Sequence, residues 1–167
     1  MKKFWITGVF MMLMSISQSQ EIIRIVDDME DKTVFADKTG MILVNEAGDK
    51  GFNIAGKFKF NHPEPVFTGI NLTIVGLGCV EAVELIILFE DGTKMTKTSW
   101  NQFNCDGHAW YTLLPRDIQM LTDKRITKIR VTNGYKYDSI TVPVSDPNHF
   151  ITLIAKAARN EYETVSE

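Results

Sequence analysis

The sequence predicts a mainly β protein, either an antiparallel β-sandwich or an open barrel, with one short helix and a C-terminal α-helix. Three observations lead to this fold class. Short runs that alternate apolar and polar residues recur between turn residues, which is typical of antiparallel sheets. Two of the turns contain Asp-Gly or Asn-Gly, and one segment near the C-terminus has apolar residues at helical spacing.

The N-terminal half contains five predicted strands. They lie at residues 22–26, 33–36, 41–45, 54–60 and 70–74. In the fourth, Ile, Gly, Phe and Phe at every second position alternate with Ala and Lys, so one face is apolar and the other faces water. The sequence Asp-Lys-Thr-Gly at residues 37–40 predicts a hairpin turn between the second and third strands.

Two hairpins are predicted further along the chain. Residues 83–89 are apolar through their centre, which predicts a central strand covered on both faces. The Asp-Gly pair at residues 91–92 favours a tight turn to a return strand at residues 93–100. The second hairpin joins residues 126–132 to residues 135–142, and the Asn-Gly pair that precedes residue 135 marks its turn.

Two segments are predicted to be helical. The first, at residues 115–121, has proline at its first position and spans only two turns. The second starts at Asp146, which can cap a helix, and Pro147, which suits the first helical position. Its apolar stripe over residues 150–158 should pack on a sheet, whereas His149 is expected at the surface.

Residues 1–19 have the organisation of a secretory signal peptide. Two lysines precede an apolar run at residues 4–16, and small residues at Ser17 or Ser19 fit a cleavage site. A buried N-terminal strand or helix is the alternative. The run is shorter than the about 20 residues that a membrane-spanning helix needs. The expected organisation is a signal peptide at 1–19 and a single β-rich domain at 20–167, exported to the periplasm or the exterior without a transmembrane anchor.

The charge of the chain argues against a nucleic-acid partner. The formal net charge is −3, and removal of residues 1–19 leaves 16 basic against 21 acidic residues, or −5. An excess of acid repels the phosphate backbone. The composition, with 23% charged and 44% hydrophobic residues, is that of an ordinary folded domain rather than a disordered chain.

Cys79 and Cys105 are the only cysteines in the sequence. Because export leads to an oxidising compartment, an even number of cysteines favours a disulfide, with free thiols as the alternative. A catalytic thiol is a further alternative. In that case Cys105 would be the nucleophile and His108, three residues along, its base.

Aromatic and polar residues are concentrated around Cys105, and they define the candidate ligand-binding site. Flat apolar faces can stack on a small molecule or a sugar while amides and carboxylates orient it. The candidate residues are Trp100, Asn101, Phe103, Asp106, His108, Trp110 and Tyr111. The alternative is a loop whose aromatic residues start the next strand and fill the core.

The sequence predicts no metal site and no cofactor. Cys79, Cys105, Asp106 and His108 could converge on zinc only if the cysteines were reduced, and the paired spacing of a zinc site is missing. The acidic stretch at residues 27–31 lacks the alternating ligands of a calcium loop. Neither a phosphate-binding glycine loop nor a serine nucleophile elbow occurs.

Three segments resemble small exported proteins of unknown function from Gram-negative bacteria. They are Leu-Phe-Glu-Asp-Gly-Thr at residues 88–93, Asn-Cys-Asp-Gly at residues 104–107 and Ile-Thr-Lys-Ile-Arg-Val at residues 126–131. The resemblance covers about a third of the chain. It implies a sheet-rich fold and an exported protein, and it carries over no catalytic residue.

These observations favour a non-enzymatic exported module of the cell envelope, either structural or binding a protein, glycan or small ligand. No nucleophile–base set, carboxylate pair or metal cluster stands out in the sequence, which supports this interpretation. One alternative is a thiol-dependent or hydrolytic enzyme that uses Cys105 and His108. Another is an inhibitor or an immunity-type protein with a protein partner.

Overall fold

Eleven strands and two helices occur in the part of the chain that the computed structural model describes, which is residues 21–27, 29, 32–60, 65–100, 105–134 and 139–166. The strands are β1 (Ile22–Asp27), β2 (Lys32–Asp37), β3 (Met41–Val44), β4 (Gly51–Phe60), β5 (Pro65–Val75), β6 (Glu84–Phe89), β7 (Lys94–Thr98), β8 (His108–Thr112), β9 (Ile126–Thr132), β10 (Ser139–Pro143) and β11 (Glu163–Ser166). The helices are α1 (Pro115–Asp123) and α2 (His149–Ala158).

The strands form two sheets. The larger has the order β11-β1-β2-β4-β5-β8, with β3 also paired to β4, and the smaller has the order β10-β9-β6-β7. Buried and accessible residues alternate along β5 and β6, so each sheet turns one face inward. The inward faces of both sheets contribute to one hydrophobic core. The predicted mainly β fold is confirmed, and the architecture is sandwich-like rather than a closed barrel.

Both hairpins predicted from glycine turns are present as paired strands. β6 pairs antiparallel with β7, and Gly92 in their turn has a φ of +81°, a conformation that glycine adopts without strain. β9 pairs antiparallel with β10, although residues 135–138 of that turn lie outside the described residues. β6 lies between β9 and β7, as predicted for a central strand.

The hairpin predicted at residues 37–40 is wrong. β2 and β3 do not pair with each other, and each pairs antiparallel with β4 instead. Asp37 Oδ1 accepts a hydrogen bond from the Gly40 N–H at 3.1 Å. This bond stabilises a short kink between β2 and β3, which both run alongside β4. The chain reverses after β3, where the Asn45 N–H donates to the Lys50 carbonyl oxygen at 2.9 Å.

Helix α1 begins at Pro115, as predicted, and continues to Asp123. Its first turn contains Asp117, whose side chain is 5% exposed. Burial alone would raise the pKa of Asp117, but hydrogen bonds from Lys97 Nζ and the Leu114 N–H, each 2.8 Å long, outweigh it and hold the pKa below its usual value. The ion pair therefore ties α1 to strand β7.

Helix α2 begins at His149, two residues later than predicted. Asp146 does not cap the helix, and its Oδ1 instead accepts a hydrogen bond from the Asn148 N–H at 3.2 Å. The helix packs on the larger sheet, where the ring centroids of Phe150 and Phe67 are 5.9 Å apart. The expectation that His149 lies at the surface is wrong, because its ring bonds to a buried carboxylate of β2 and is 3% exposed.

Strand β11 was not predicted, and it follows the C-terminal helix. It pairs parallel with β1, so the larger sheet is mixed rather than purely antiparallel. Lys38 Nζ lies 2.9 Å from Glu163 of β11 and 3.0 Å from Glu21, and these two carboxylates raise the pKa of Lys38. Four residues at a sheet edge are too few for a clear alternating pattern, which explains why the sequence did not reveal the strand.

Candidate functional site

Cys79 and Cys105 form a disulfide, with 2.01 Å between their sulfur atoms, as the sequence predicted. The bond joins the turn after β5 to the segment that leads into β8. Because the Cys105 sulfur is bonded to Cys79, the nucleophile of the thiol-enzyme hypothesis is occupied in this structure. The structure also places His108 Nδ1 3.2 Å from the Thr73 hydroxyl oxygen.

A buried amide holds the same turn from the other sheet. Asn133 is fully buried, and its Nδ2 donates to the Cys79 carbonyl oxygen at 2.9 Å and to the Leu77 carbonyl oxygen at 3.2 Å. The sequence indicated a turn residue here. Instead, the side chain of Asn133 donates to two carbonyl oxygens of a loop that lies more than 50 positions earlier in the chain. The sequence around Asn133 contains no sign of this contact.

Three of the predicted site residues form a stack on the outer face of β8. His108 and Trp110 alternate with the buried Ala109 and Tyr111, so they lie on the same side of the strand. The rings of His108 and Trp110 are parallel within 10° with centroids 6.4 Å apart. Trp100 stacks on Trp110 at 5.4 Å and 27°. The stack therefore places two indoles and an imidazole side by side.

The remaining predicted site residues are elsewhere. Tyr111 faces the core and is 2% exposed. This agrees with the alternative interpretation, in which the aromatic residues of this segment fill the core. Asp106 is exposed beside the disulfide, and Asn101 and Phe103 lie outside the described residues.

Trp100 is positioned by bonds to both sheets. The Ser99 N–H, immediately before it, donates to the Val83 carbonyl oxygen next to β6, and the Val83 N–H donates to Ser99 Oγ. The Trp100 N–H then donates to the Trp110 carbonyl oxygen of the larger sheet at 3.2 Å. The residue is nevertheless 67% exposed. The backbone thus fixes an indole that water largely surrounds.

A cleft of about 210 Å³ lies against this stack, and we call it the aromatic cleft. It is lined by Lys57, Lys59, Thr68, Gly69, Ile70, Asn71, Trp100, Trp110, Tyr111 and Thr112. Strands β4, β5 and β8 form its floor, where Gly69 lies between Lys57 and Thr112 in the sheet. A Cβ at Gly69 would lie 2.7 Å from the Tyr111 carbonyl oxygen, so the position excludes a side chain and the floor stays open.

A β-bulge shapes the lysine side of the aromatic cleft. The register between β4 and β5 shifts at Lys57 and Phe58, which leaves Thr68 as an extra residue opposite them. Bulges bend a strand and redirect its side chains. Lys57 and Lys59 are both exposed, and within the described residues neither ammonium forms an ion pair. Lysine was not among the predicted site residues, since exposed lysines on a strand also occur without any function.

The aromatic cleft also contains an acceptor without a partner. The Oδ1 atom of Asn71 is buried, and no donor among the described residues bonds to it. Asn71 lies directly opposite Trp110 in the register of β5 and β8. A buried polar atom without a hydrogen bond costs free energy, and turning the Asn71 side chain toward the cleft would allow a ligand hydroxyl to donate to it.

A larger cavity, of about 640 Å³, lies away from every predicted site residue. It occupies the seam between β3 and β10, where Ile42, Val44, Thr141 and Pro143 form part of its wall. Its lining contains no aromatic side chain, and we therefore regard the smaller aromatic cleft as the better candidate site.

Within the part of the chain that the structure describes, no three side chains of His, Cys, Asp or Glu come together in a way that could hold a metal ion. Neither of the two helices has both the length and the apolar character to span a membrane. In comparisons with known proteins, no family model, no curated protein and no solved structure matches this chain.

Proposed function

We propose that this protein is a non-enzymatic, exported binding module that recognises its ligand in the aromatic cleft. Export is supported by the signal-peptide organisation of residues 1–19 and by the Cys79–Cys105 disulfide, which is typical of oxidising compartments. The proposal that the aromatic cleft is the binding site is supported by the geometry of the cleft, and one observation supports it most strongly.

That observation is the exposed indole of Trp100. Trp100 is 67% exposed as a residue, so it forgoes most of the stabilisation that burial of its indole would give. Here the ring is held by its backbone bond to Trp110 and by the stacked arrangement of the two indoles. A ligand with a flat apolar face would cover the exposed side of Trp100 and recover that burial.

The chemistry of the cleft supports binding rather than catalysis. Its lining supplies ammonium groups, hydroxyls, an amide and aromatic faces, and no carboxylate, thiol or imidazole is among these residues. General acid–base catalysis most often uses histidine or a carboxylate in contact with the substrate. The groups present are suited to orienting a ligand, and the thiol-enzyme alternative would require the disulfide to be reduced.

Calorimetry of the purified mature protein with a panel of soluble oligosaccharides tests the proposal. We expect at least one saccharide to bind, and Trp110→Ala to weaken that binding by about tenfold or more, because an aromatic hot spot contributes at least 1.4 kcal/mol. Val165→Ala, an exposed apolar truncation on β11, is the control and should leave the affinity unchanged. Equal binding by the wild type and Trp110→Ala would contradict the proposal.

A protein partner is the second candidate, and an exposed apolar patch favours it. Ile42, Val44 and Val75 are 65%, 52% and 63% exposed and lie on the same outer face as the aromatic cleft. Exposed apolar groups that cluster mark interaction surfaces. If an inhibitor-type function is correct, Ile42→Asp should abolish association with a protein partner while Trp110→Ala leaves it intact.

A further inference from the structure

We infer that the ligand of the aromatic cleft is an acidic oligosaccharide, a chain of sugar rings that bear carboxylate or sulfate groups. The inference rests on the proposed function and adds the chemical class of the ligand. It combines the charge of the cleft, the acceptor at Asn71 and the stacked indoles.

The charge of the aromatic cleft is opposite to that of the molecule. The chain has a formal charge of −3, yet Lys57 and Lys59 border a cleft in which none of the described lining residues is acidic. Residues two apart on a strand project from the same face about 7 Å from each other. Concave surfaces lined by one sign of charge concentrate ligands of the opposite sign. Two lysines on the same face of one strand can therefore reach two anionic groups along a polymer.

Ion pairing distinguishes Lys57 and Lys59 from three other lysines of the protein. Lys38, Lys97 and Lys124 each lie 2.7–3.0 Å from a carboxylate of the protein itself. Lys57 and Lys59 lack such a partner among the described residues, so their ammonium groups are available to an anion from outside. Arrival of that anion would form a charge-assisted hydrogen bond with each.

The neutral part of the cleft favours a sugar over a simple anion. Asn71 lines the cleft, and its amide oxygen, once turned toward the cleft, can accept from a sugar hydroxyl, whereas fully ionised phosphate or sulfate has no hydrogen to donate. The indole faces of Trp100 and Trp110 match the flat apolar side of a sugar ring. The volume of about 210 Å³ is below the about 300–1,000 Å³ of sites that enclose a whole drug-sized ligand. The cleft therefore holds one part of a longer chain.

The test compares ligands that share a ring and differ only in charge. Calorimetry would measure the affinity of the mature protein for trigalacturonic acid, its uncharged methyl ester and a sulfated heparin-derived tetrasaccharide. We expect at least one acidic ligand to bind about tenfold or more tightly than the neutral ester, since a hydrogen bond to a charged group contributes at least 1.4 kcal/mol. This preference should weaken as salt is added.

Paired substitutions identify the groups responsible. Lys57→Gln with Lys59→Gln should remove the preference for the acidic ligand and leave the weaker affinity for the neutral ester. Lys94→Gln with Lys128→Gln makes the same charge change at exposed positions of the smaller sheet and should preserve the preference. Thermal unfolding of all variants verifies that each is folded.

Three outcomes would overturn the inference. The first is that the wild-type protein binds the acid and its ester with equal affinity. The second is that the preference for the acid survives in Lys57→Gln/Lys59→Gln. The third is that neither acidic ligand binds. If the acid and its ester bind equally and Trp110→Ala abolishes the binding of both, the proposed function stands and only the acidic class is wrong. If binding is insensitive to Trp110→Ala, the aromatic cleft itself is wrong.

Discussion

His149 Nε2 lies 2.9 Å from Asp37 Oδ2, and the two side chains are 3% and 0% exposed. The bond joins the first residue of α2 to the last residue of β2, so it fixes the helix on the larger sheet. Because both partners are buried, replacing His149 leaves Asp37 Oδ2 without this hydrogen bond in a region that water does not reach.

We expect His149→Leu to lower the free energy of unfolding by about 1–3 kcal/mol, the cost of an unsatisfied buried polar group. Urea unfolding would measure it. In the double variant with Asp37→Leu, the two losses should not add, since the interaction is removed only once. Asn148→Ala, an exposed neighbour, is the control. Additive losses would show that the contact does not stabilise the protein.

Because of Asp117, we expect the protein to lose stability in acid. Hydrogen bonds from Lys97 and Leu114 hold its pKa below its usual value despite burial. Its ionised form therefore stabilises the fold at pH values above the unfolded pKa of about 3.9, and this contribution disappears as the pH falls through the lower folded pKa. Asp117→Asn should be less stable than the wild type at pH 7.

The difference between Asp117→Asn and the wild type should narrow as the pH falls below about 4. Urea unfolding across that pH range checks the sign. Asp123→Asn alters an exposed carboxyl at the end of the same helix and should change stability by less than about 0.5 kcal/mol. A difference that stays constant with pH would mean that Asp117 acts by packing rather than by charge.

Tyr111→Phe should stabilise the protein. Burial raises the pKa of the Tyr111 hydroxyl, and among the described residues no group bonds to it. Removing a buried hydroxyl without a partner restores up to about 1 kcal/mol. Thermal unfolding would detect the rise in melting temperature. Leu113→Ala, an apolar truncation at the next buried position, should instead destabilise the protein by about 2–5 kcal/mol.

The disulfide should contribute to both stability and binding. Cys79 and Cys105 are 26 residues apart, and a closed loop of this length stabilises by about 3.5 kcal/mol in the chain-entropy model. The Cys79→Ala/Cys105→Ala variant should lose about that amount in urea unfolding and should bind more weakly, since the bond holds the segment that leads into β8. Full affinity in the variant would show that the remaining bonds of this segment, such as the one from the Ile74 N–H to the Gly107 carbonyl oxygen, are enough to position it.

The sequence predicted the parts of the fold that local chemistry determines. Alternation placed Ile54 and Leu72 in the core, and glycine located the turn between β6 and β7. In contrast, residues 37–40 have the composition of a turn but form a kink, because the strands before and after them, β2 and β3, both pair with β4. Pairing with a distant strand, not local propensity, decided that segment.

The candidate site likewise combines residues that the sequence predicted with residues that it did not. Its aromatic residues were predicted, because Trp100, His108 and Trp110 are close in sequence. Lys57 and Asn71 were not, since only the pairing of β4, β5 and β8 brings them beside Trp110. Such residues have no signature in a single sequence, and they are found only when the strand register is known.

The stacking of Trp100 on Trp110 also determines the optical properties of the protein. The sequence contains three tryptophans, and the third, Trp5, belongs to the segment that the proposed export would remove. All indole emission of the mature chain would then come from one place. Rings with centroids 5.4 Å apart couple their electronic transitions, so circular dichroism of the native protein should carry an exciton couplet from this pair. The protein thus has a built-in spectroscopic reporter.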